Sequence, residues 1–128
     1  MSGTVHPDNK PLFIQIKEKI EDQIVNELLL EGEQVPSTTQ LSQFYKINHI
    51  TVLKGINMLV DSGLIYKKRG VGMFVAEGAK EMLLRTRKSV FAEHYVVPMV
   101  QEADKLGLST DELFQIITQL KGSDPHES

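Results

Sequence analysis

The sequence predicts a mainly α-helical protein with one small β-hairpin, and three observations point there. Apolar residues recur at helical spacing over several stretches, beginning with Phe13, Ile16, Ile20, Ile24 and Leu28. Ser-x-x-Gln and Ser-x-x-Glu capping boxes stand at Ser37 and Ser109, each just ahead of such a stretch. A single segment, "LIYKKRGVGMFVA", reads as two short strands joined by a glycine-containing turn. At 128 residues the chain has room for one compact domain, or for a small domain and an appendage.

Taken in order, residues 1–10 are polar, contain Gly3 and Pro7, and read as a flexible arm. The stripe from Phe13 to Leu28 follows Pro11, which suits a first helical turn, and Gly32 lies past its expected end. Ser37 then caps a short second helix, with Leu41, Phe44 and Ile47 expected to face inward. A tight turn through Lys46 to Asn48 leads into a third helix lined by Val52, Ile56, Leu59 and Val60. It ends at Gly63, where a left-handed residue is needed. Two helices joined by such a turn form a helix-turn-helix. The hairpin comes next, so residues 11–76 read as a winged helix-turn-helix. From residue 77 to 122 the pattern is helical again, beginning near Glu77 and divided by Pro98 near Val97. A last helix starts at Ser109, carries Leu113, Phe114, Ile117 and Leu120, and stops at Gly122; residues 123–128 read as a flexible tail.

Charge is distributed by segment. The whole chain is acidic, with 14 Lys+Arg against 17 Asp+Glu. Residues 36–76, however, hold five cations (Lys46, Lys54, Lys67, Lys68, Arg69) against Asp61 alone. One positive block on an otherwise anionic molecule is the footprint expected of a small polyanion-binding surface.

Several function classes are excluded. The absence of Cys removes disulfides, thiol catalysis and thiolate metal sites. The four histidines, His6, His49, His94 and His126, have no metal-spaced partners, and no nucleophile elbow or phosphate-binding loop is present. Neither an enzyme nor a cofactor or metal site is expected. No apolar run is long enough for a signal sequence or a membrane span, so a soluble cytoplasmic protein without membrane partners is expected.

With its elements in this order, the segment "VPSTTQLSQFYKINHITVLKGINMLVDSGLIYKKRGVGMFV" resembles the GntR family of bacterial transcription regulators. It shares that family's Pro-Ser start, its Asn-led recognition helix with Thr-Val, its Gly-Leu-Ile strand and its Arg-Gly-x-Gly-x-Phe-Val wing. "PLFIQI" is similar to the usual start of the domain. The short helical tail resembles the YtrA-type subgroup, in which such a tail dimerises the protein. The resemblance implies a DNA-binding regulator, usually a repressor. Family members commonly carry a DNA-contacting Arg where this chain has Thr39, and many carry arginines where it has His49 and Leu53.

The residues themselves suggest which side chains meet duplex DNA. With Val52, Ile56 and Leu59 buried, Ile50, Lys54, Asn57 and Asp61 face outward, and His49 and Thr51 occupy the first turn that normally enters the major groove. Ile50 either packs on a thymine methyl or against the wing or first helix. Lys54 either approaches a phosphate or guanine edge or is simply solvated. His49 meets a base or caps the helix beside Asn48. Ser37 and Thr38 offer a phosphate the free N–H groups of a helix N-terminus, or Ser37 only caps its own helix. Lys67, Lys68 and Arg69 form the wing's cationic tip, with Lys67 and Arg69 expected on one face and Lys68 on the other. Gly70 and Gly72 let the backbone turn and approach closely.

One winged helix makes too few contacts to find an operator, whereas two on a two-fold axis read half-sites about one helical turn apart. The tail offers the means for a homodimer: Leu83, Val90, Phe91, Tyr95, Val97, Val100, Leu106, Phe114 and Ile117 are more apolar surface than short helices hide alone. The competing expectation is a winged helix used only to bind other proteins. The sequence specifies no small-molecule effector.

Overall fold

The computed structural model describes residues 10–122. The arm expected over residues 1–10, Lys10 excepted, and the tail over 123–128 lie outside the described residues. Packing divides the chain into two compact units, one through Thr86 and one from Arg87.

The first unit holds α1 (Leu12–Val25), β1 (Gln34–Val35), α2 (Thr38–Tyr45), α3 (His49–Asp61), β2 (Ile65–Lys68), β3 (Gly72–Val75) and the start of α4 (Ala79–Phe91). Helix α1 stops earlier than its apolar stripe suggests. Glu27 adopts a left-handed conformation (φ 61°), Leu28 N–H donates to the Gln23 carbonyl at 2.9 Å and Glu27 N–H to that of Ile24 at 3.1 Å. This Schellman turn takes Leu28 off the helix face, leaving it 76% exposed, and Leu29 fills the core position instead. Gly32 belongs to the loop beyond, where its N–H donates to the Val75 carbonyl at 2.8 Å.

That loop leads into a strand the sequence reading did not anticipate. Gln34 and Val35 pair antiparallel with Phe74 and Met73, so the wing is a three-stranded sheet in the order β1-β3-β2. In β2, Ile65 pairs with Val75 and Lys67 with Met73, which fixes the hairpin register.

Helix α2 begins with the expected capping box. Ser37 Oγ accepts from Gln40 N–H at 3.1 Å, and Ser37 N–H donates to Gln40 Oε1 at 2.8 Å. Its inward face is Leu41 and Tyr45, four residues apart; Phe44, expected inside, is 54% exposed and meets the Tyr45 ring edge-on at 4.9 Å. Lys46 closes the helix in a left-handed conformation. Helix α3 ends in a second Schellman turn at Gly63 (φ 82°), which carries buried Leu64 into the sheet.

The core gathers Ile16, Ile20 and Ile24 of α1 with Val52, Ile56 and Leu59 of α3 and Val35, Ile65 and Val75 of the sheet. Helix α4 begins at Ala79, just after Gly78 and two residues past Glu77, close to where the sequence places it. Ala79 and Leu83, one turn apart, both enter this core. Leu83, expected at a dimer interface, is buried within its own chain. The same packing extends the first unit past residue 76. Lys80 of α4 donates to Glu27 Oε2 at 2.7 Å, and that hydrogen bond and the lysine's charge hold the Glu27 carboxyl below the usual carboxylate range.

The second unit holds the end of α4, a turn of π-helix (Ala92–Val96), α5 (Val97–Lys105) and α6 (Thr110–Leu120). The sequence places a break at Pro98; here the helix widens just before it, with Val97 N–H reaching the Ala92 carbonyl, and Pro98 enters the first turn of α5, where it owes no hydrogen bond. Ser109 and Glu112 form the expected capping box of α6. Among the described residues of this unit only Ala103 is buried.

Candidate nucleic-acid interface

Three features bring the sequence-predicted residues onto one surface. The first joins the helices of the helix-turn-helix: Thr39 Oγ1 of α2 lies 3.5 Å from His49 Nε2 at the start of α3. The second joins wing and helix: Lys67 Nζ of β2 lies 3.4 Å from Asn57 Oδ1 of α3. The third is a cleft of about 610 Å³ that runs between the start of α2 and the wing, lined by Ser37, Thr38 and Gln40 on one side and by Val71 and Gly72 on the other. The N-terminus of α2, the exposed face of α3 and the hairpin are thus adjacent.

Single residues have definite surroundings within the chain. Asn48, not His49, caps α3: its Oδ1 accepts from Ile50 N–H at 2.7 Å and from Thr51 N–H at 3.2 Å. The His49 ring is left to point outward beside Thr39. Ile50 packs against neither the wing nor the first helix and is 74% exposed. Lys54 is not simply solvated: its ammonium sits over the Phe13 ring, 4.1 Å from the centroid, an attraction between cation and ring quadrupole. The outward face of α3 also includes Leu53, which the sequence reading set aside as a missing arginine and which is 37% exposed.

On the wing, strand alternation separates the cations. Lys67 shares a face with Ile65 and leans onto α3, while Lys68 lies over the Phe74 ring at 5.2 Å, on the face where Tyr66 and Phe74 stack at 5.8 Å. Arg69 is exposed at the tip. Gly70 (φ 76°) and Gly72 (φ 145°) hold conformations costly to other residues. Gly72 also lies under Gln34, whose side-chain amide donates to the Val71 carbonyl at 3.1 Å and ties the tip to β1. Sequence reasoning missed Gln34 because a two-residue strand carries no periodicity.

The rest of the predicted residues lie in the second unit. Val90, Phe91, Tyr95, Val97, Val100, Leu106 and Phe114 are all exposed, and Ile117 is half-buried. Phe91, Tyr95, Val100, Phe114 and Ile117 line one apolar groove of about 750 Å³ with Met99 and Leu113. Among the described residues no group of His, Cys, Asp or Glu has metal-ligand geometry, and no helix is long and apolar enough to cross a membrane.

A surface of this form lays one helix into a groove of duplex DNA while the hairpin and a helix N-terminus hold the backbone, and it places the chain among winged helix-turn-helix DNA-binding regulators. Residues 13–75 match the pattern of "Bacterial regulatory proteins, gntR family". The chain belongs to the GntR family, and as such is a transcription regulator and not an enzyme. It is similar to two short Bacillus subtilis proteins. The regulator YhcF is 26% identical, with 84% of this chain and 87% of YhcF aligned; the repressor YtrA is 24% identical, with 86% and 84% aligned. Longer relatives such as the repressor NagR are matched over about a third of their length (31% for NagR). Among solved structures, a GntR-family regulator from Bacteroides thetaiotaomicron is 32% identical and superposes with a TM-score of 0.69, covering 85% of this chain and 95% of that one. The DNA-binding domain of AraR in complex with operator ORX1 is 29% identical with a TM-score of 0.54, covering 57% of this chain and 94% of that one.

Proposed function

We propose that the protein is a homodimeric, sequence-specific regulator that binds a pseudo-palindromic operator in the cytoplasm and represses the genes beside it. The observation that carries the reading is the adjacency of the α2 N-terminus, the outward face of α3 and the cationic wing. Each half of the dimer lays α3 into the major groove, with His49, Ile50 and Thr51 in the turns nearest the bases. Ser37 N–H is taken by Gln40, so a phosphate at the start of α2 is received on the N–H groups of Thr38 and Thr39, and Lys67, Lys68 and Arg69 follow the neighbouring backbone. Lys54 leaves the Phe13 ring for a phosphate when the negative backbone approaches.

A dimer supplies what one such domain lacks, since a handful of phosphate contacts yields only non-specific binding of about 10⁻⁴–10⁻⁶ M. The exposed apolar face of the second unit, with Ala103 its only buried residue among those described, supports self-association there. Repression is supported by likeness to YtrA, which has the same overall length class.

The test is fluorescence anisotropy of a labelled duplex from upstream of the protein's own gene, titrated at two salt concentrations with random DNA as competitor. The expected result is competitor-resistant binding that weakens with salt. Binding that random DNA displaces equally well removes sequence-specific regulation at that site and turns attention to protein partners of the winged helix.

A further inference from the structure

The centre of the outward face of α3, at Ile50 and Leu53, is apolar. Lys54 rests over Phe13 and Lys67 against Asn57, and Thr39, His49 and Leu53 stand where the family resemblance implies arginines. In their place stand two apolar side chains one turn apart, Ile50 and Leu53, on the same face of the helix. Exposing a β-branched side chain as fully as Ile50 is unfavourable in water, and neither the wing nor α1 covers it.

We propose that Ile50 and Leu53 are specificity-determining residues that read the C5-methyl groups of thymines in each half-site, a preference that rests on the DNA-binding role above. The reasoning is one of chemistry and place. The major groove shows only one apolar group, the thymine methyl, and it projects from the groove floor. Ile50 is the second residue of α3, in the part of the helix that comes closest to that floor. The pair is flanked by Lys54 on its own helix and by Lys67, Lys68 and Arg69 on the wing, which suits an apolar contact made between two anionic backbones. His49, hydrogen-bonded to Thr39, then supplies the polar contact at the edge of the same site.

The test uses the full chain and duplexes that it selects from a randomised library. Each thymine of the selected half-site is replaced in turn by uracil, which removes the methyl and keeps every hydrogen bond. For at least one thymine in each half-site the affinity should fall about fourfold. The variants Ile50→Ala and Leu53→Ala, both on the surface, should fold normally and show no such fall at the corresponding thymine, which identifies the side chain that meets it. Changing that thymine pair to cytosine–guanine should weaken binding, and 5-methylcytosine at the same place should recover part of the loss. Specific, salt-sensitive binding that ignores every uracil replacement overturns the methyl reading and leaves the DNA-binding role standing. Failure to select any sequence overturns both.

Discussion

Gly55 of α3 lies so close to Phe13 of α1 that a Cβ at position 55 would come within 2.6 Å of the Phe13 carbonyl oxygen. The obstacle is backbone, not the end of a side chain that can swing away. The recognition helix therefore sits against the first helix at a distance that only glycine allows. Phe13 also carries the ring on which Lys54 rests, so the same approach fixes the starting position of a DNA-facing cation.

Gly55→Ala must push the two helices apart. Overpacking of a tight helix contact costs about 1–3 kcal/mol, offset in part by the better helix propensity of alanine, about 1 kcal/mol. A net loss of stability in urea denaturation is expected, accompanied by weaker DNA binding because α3 moves relative to the wing. Unchanged stability and affinity would show that the contact yields without cost.

Tyr45 provides a pH dependence. Burial raises its phenol above the ordinary value of 10.0, because the charged phenolate is poorly solvated there. The folded protein thus holds the proton more tightly than the unfolded chain. Its contribution is fully present below pH 10.0 and is lost as pH rises through the higher folded value. Stability measured from pH 8 to about 11 should fall at the alkaline end, and Tyr45→Phe should flatten that fall. An equal fall in both proteins would assign it to other groups.

Much of the first unit is legible in the sequence because local chemistry and tertiary packing agree there. Ser37, Asn48 and Gly63 set the helix ends as their residue types dictate, and Val52, Ile56 and Leu59 are buried as their spacing requires. The reading fails where the fold overrides the local signal. Leu28 continues the stripe of α1, yet Glu27 turns the chain one residue earlier in a conformation that non-glycine residues adopt only uncommonly. Phe44 and Tyr45 are adjacent aromatics, and helix spacing from Leu41 favours the second. Leu83 belongs to a helix that starts on one unit and continues into the other, and an apolar residue on it does not announce which core it serves. At the site, residue types were legible but partners were not: that Lys54 meets Phe13 and Lys67 meets Asn57 depends on contacts between segments remote in sequence.

Leu83 and Phe114 offer a test that distinguishes core from the proposed dimer interface. Leu83 is buried in the first unit, so Leu83→Ala should cost about 2–5 kcal/mol in monomer stability. Phe114 is 60% exposed in a single chain. Phe114→Asp should leave the far-ultraviolet spectrum intact but shift sedimentation at micromolar concentration toward monomer, with a parallel loss of operator affinity. If Phe114→Asp sediments as the wild type does, the groove of the second unit is not where copies meet.

The wing gives the last prediction, and two of its three cations, Lys67 and Arg69, should differ. Arg69 is exposed at the tip, whereas Lys67 already has Asn57 as a partner and must exchange that contact for a phosphate. Lys67 therefore loses something on binding that Arg69 does not. Each phosphate contact removed should lower the slope of log affinity against log salt by about 1, and should weaken binding to all sequences alike. Arg69→Ala is expected to show the full change, Lys67→Ala a smaller change in affinity with the same change in slope. Asn57→Ala then becomes informative, because freeing Lys67 should strengthen non-specific binding slightly and leave the salt slope as it was. If Arg69→Ala binds random DNA as tightly as the wild type and with the same slope, the tip does not touch the backbone, and the cations serve only to hold the hairpin against α3.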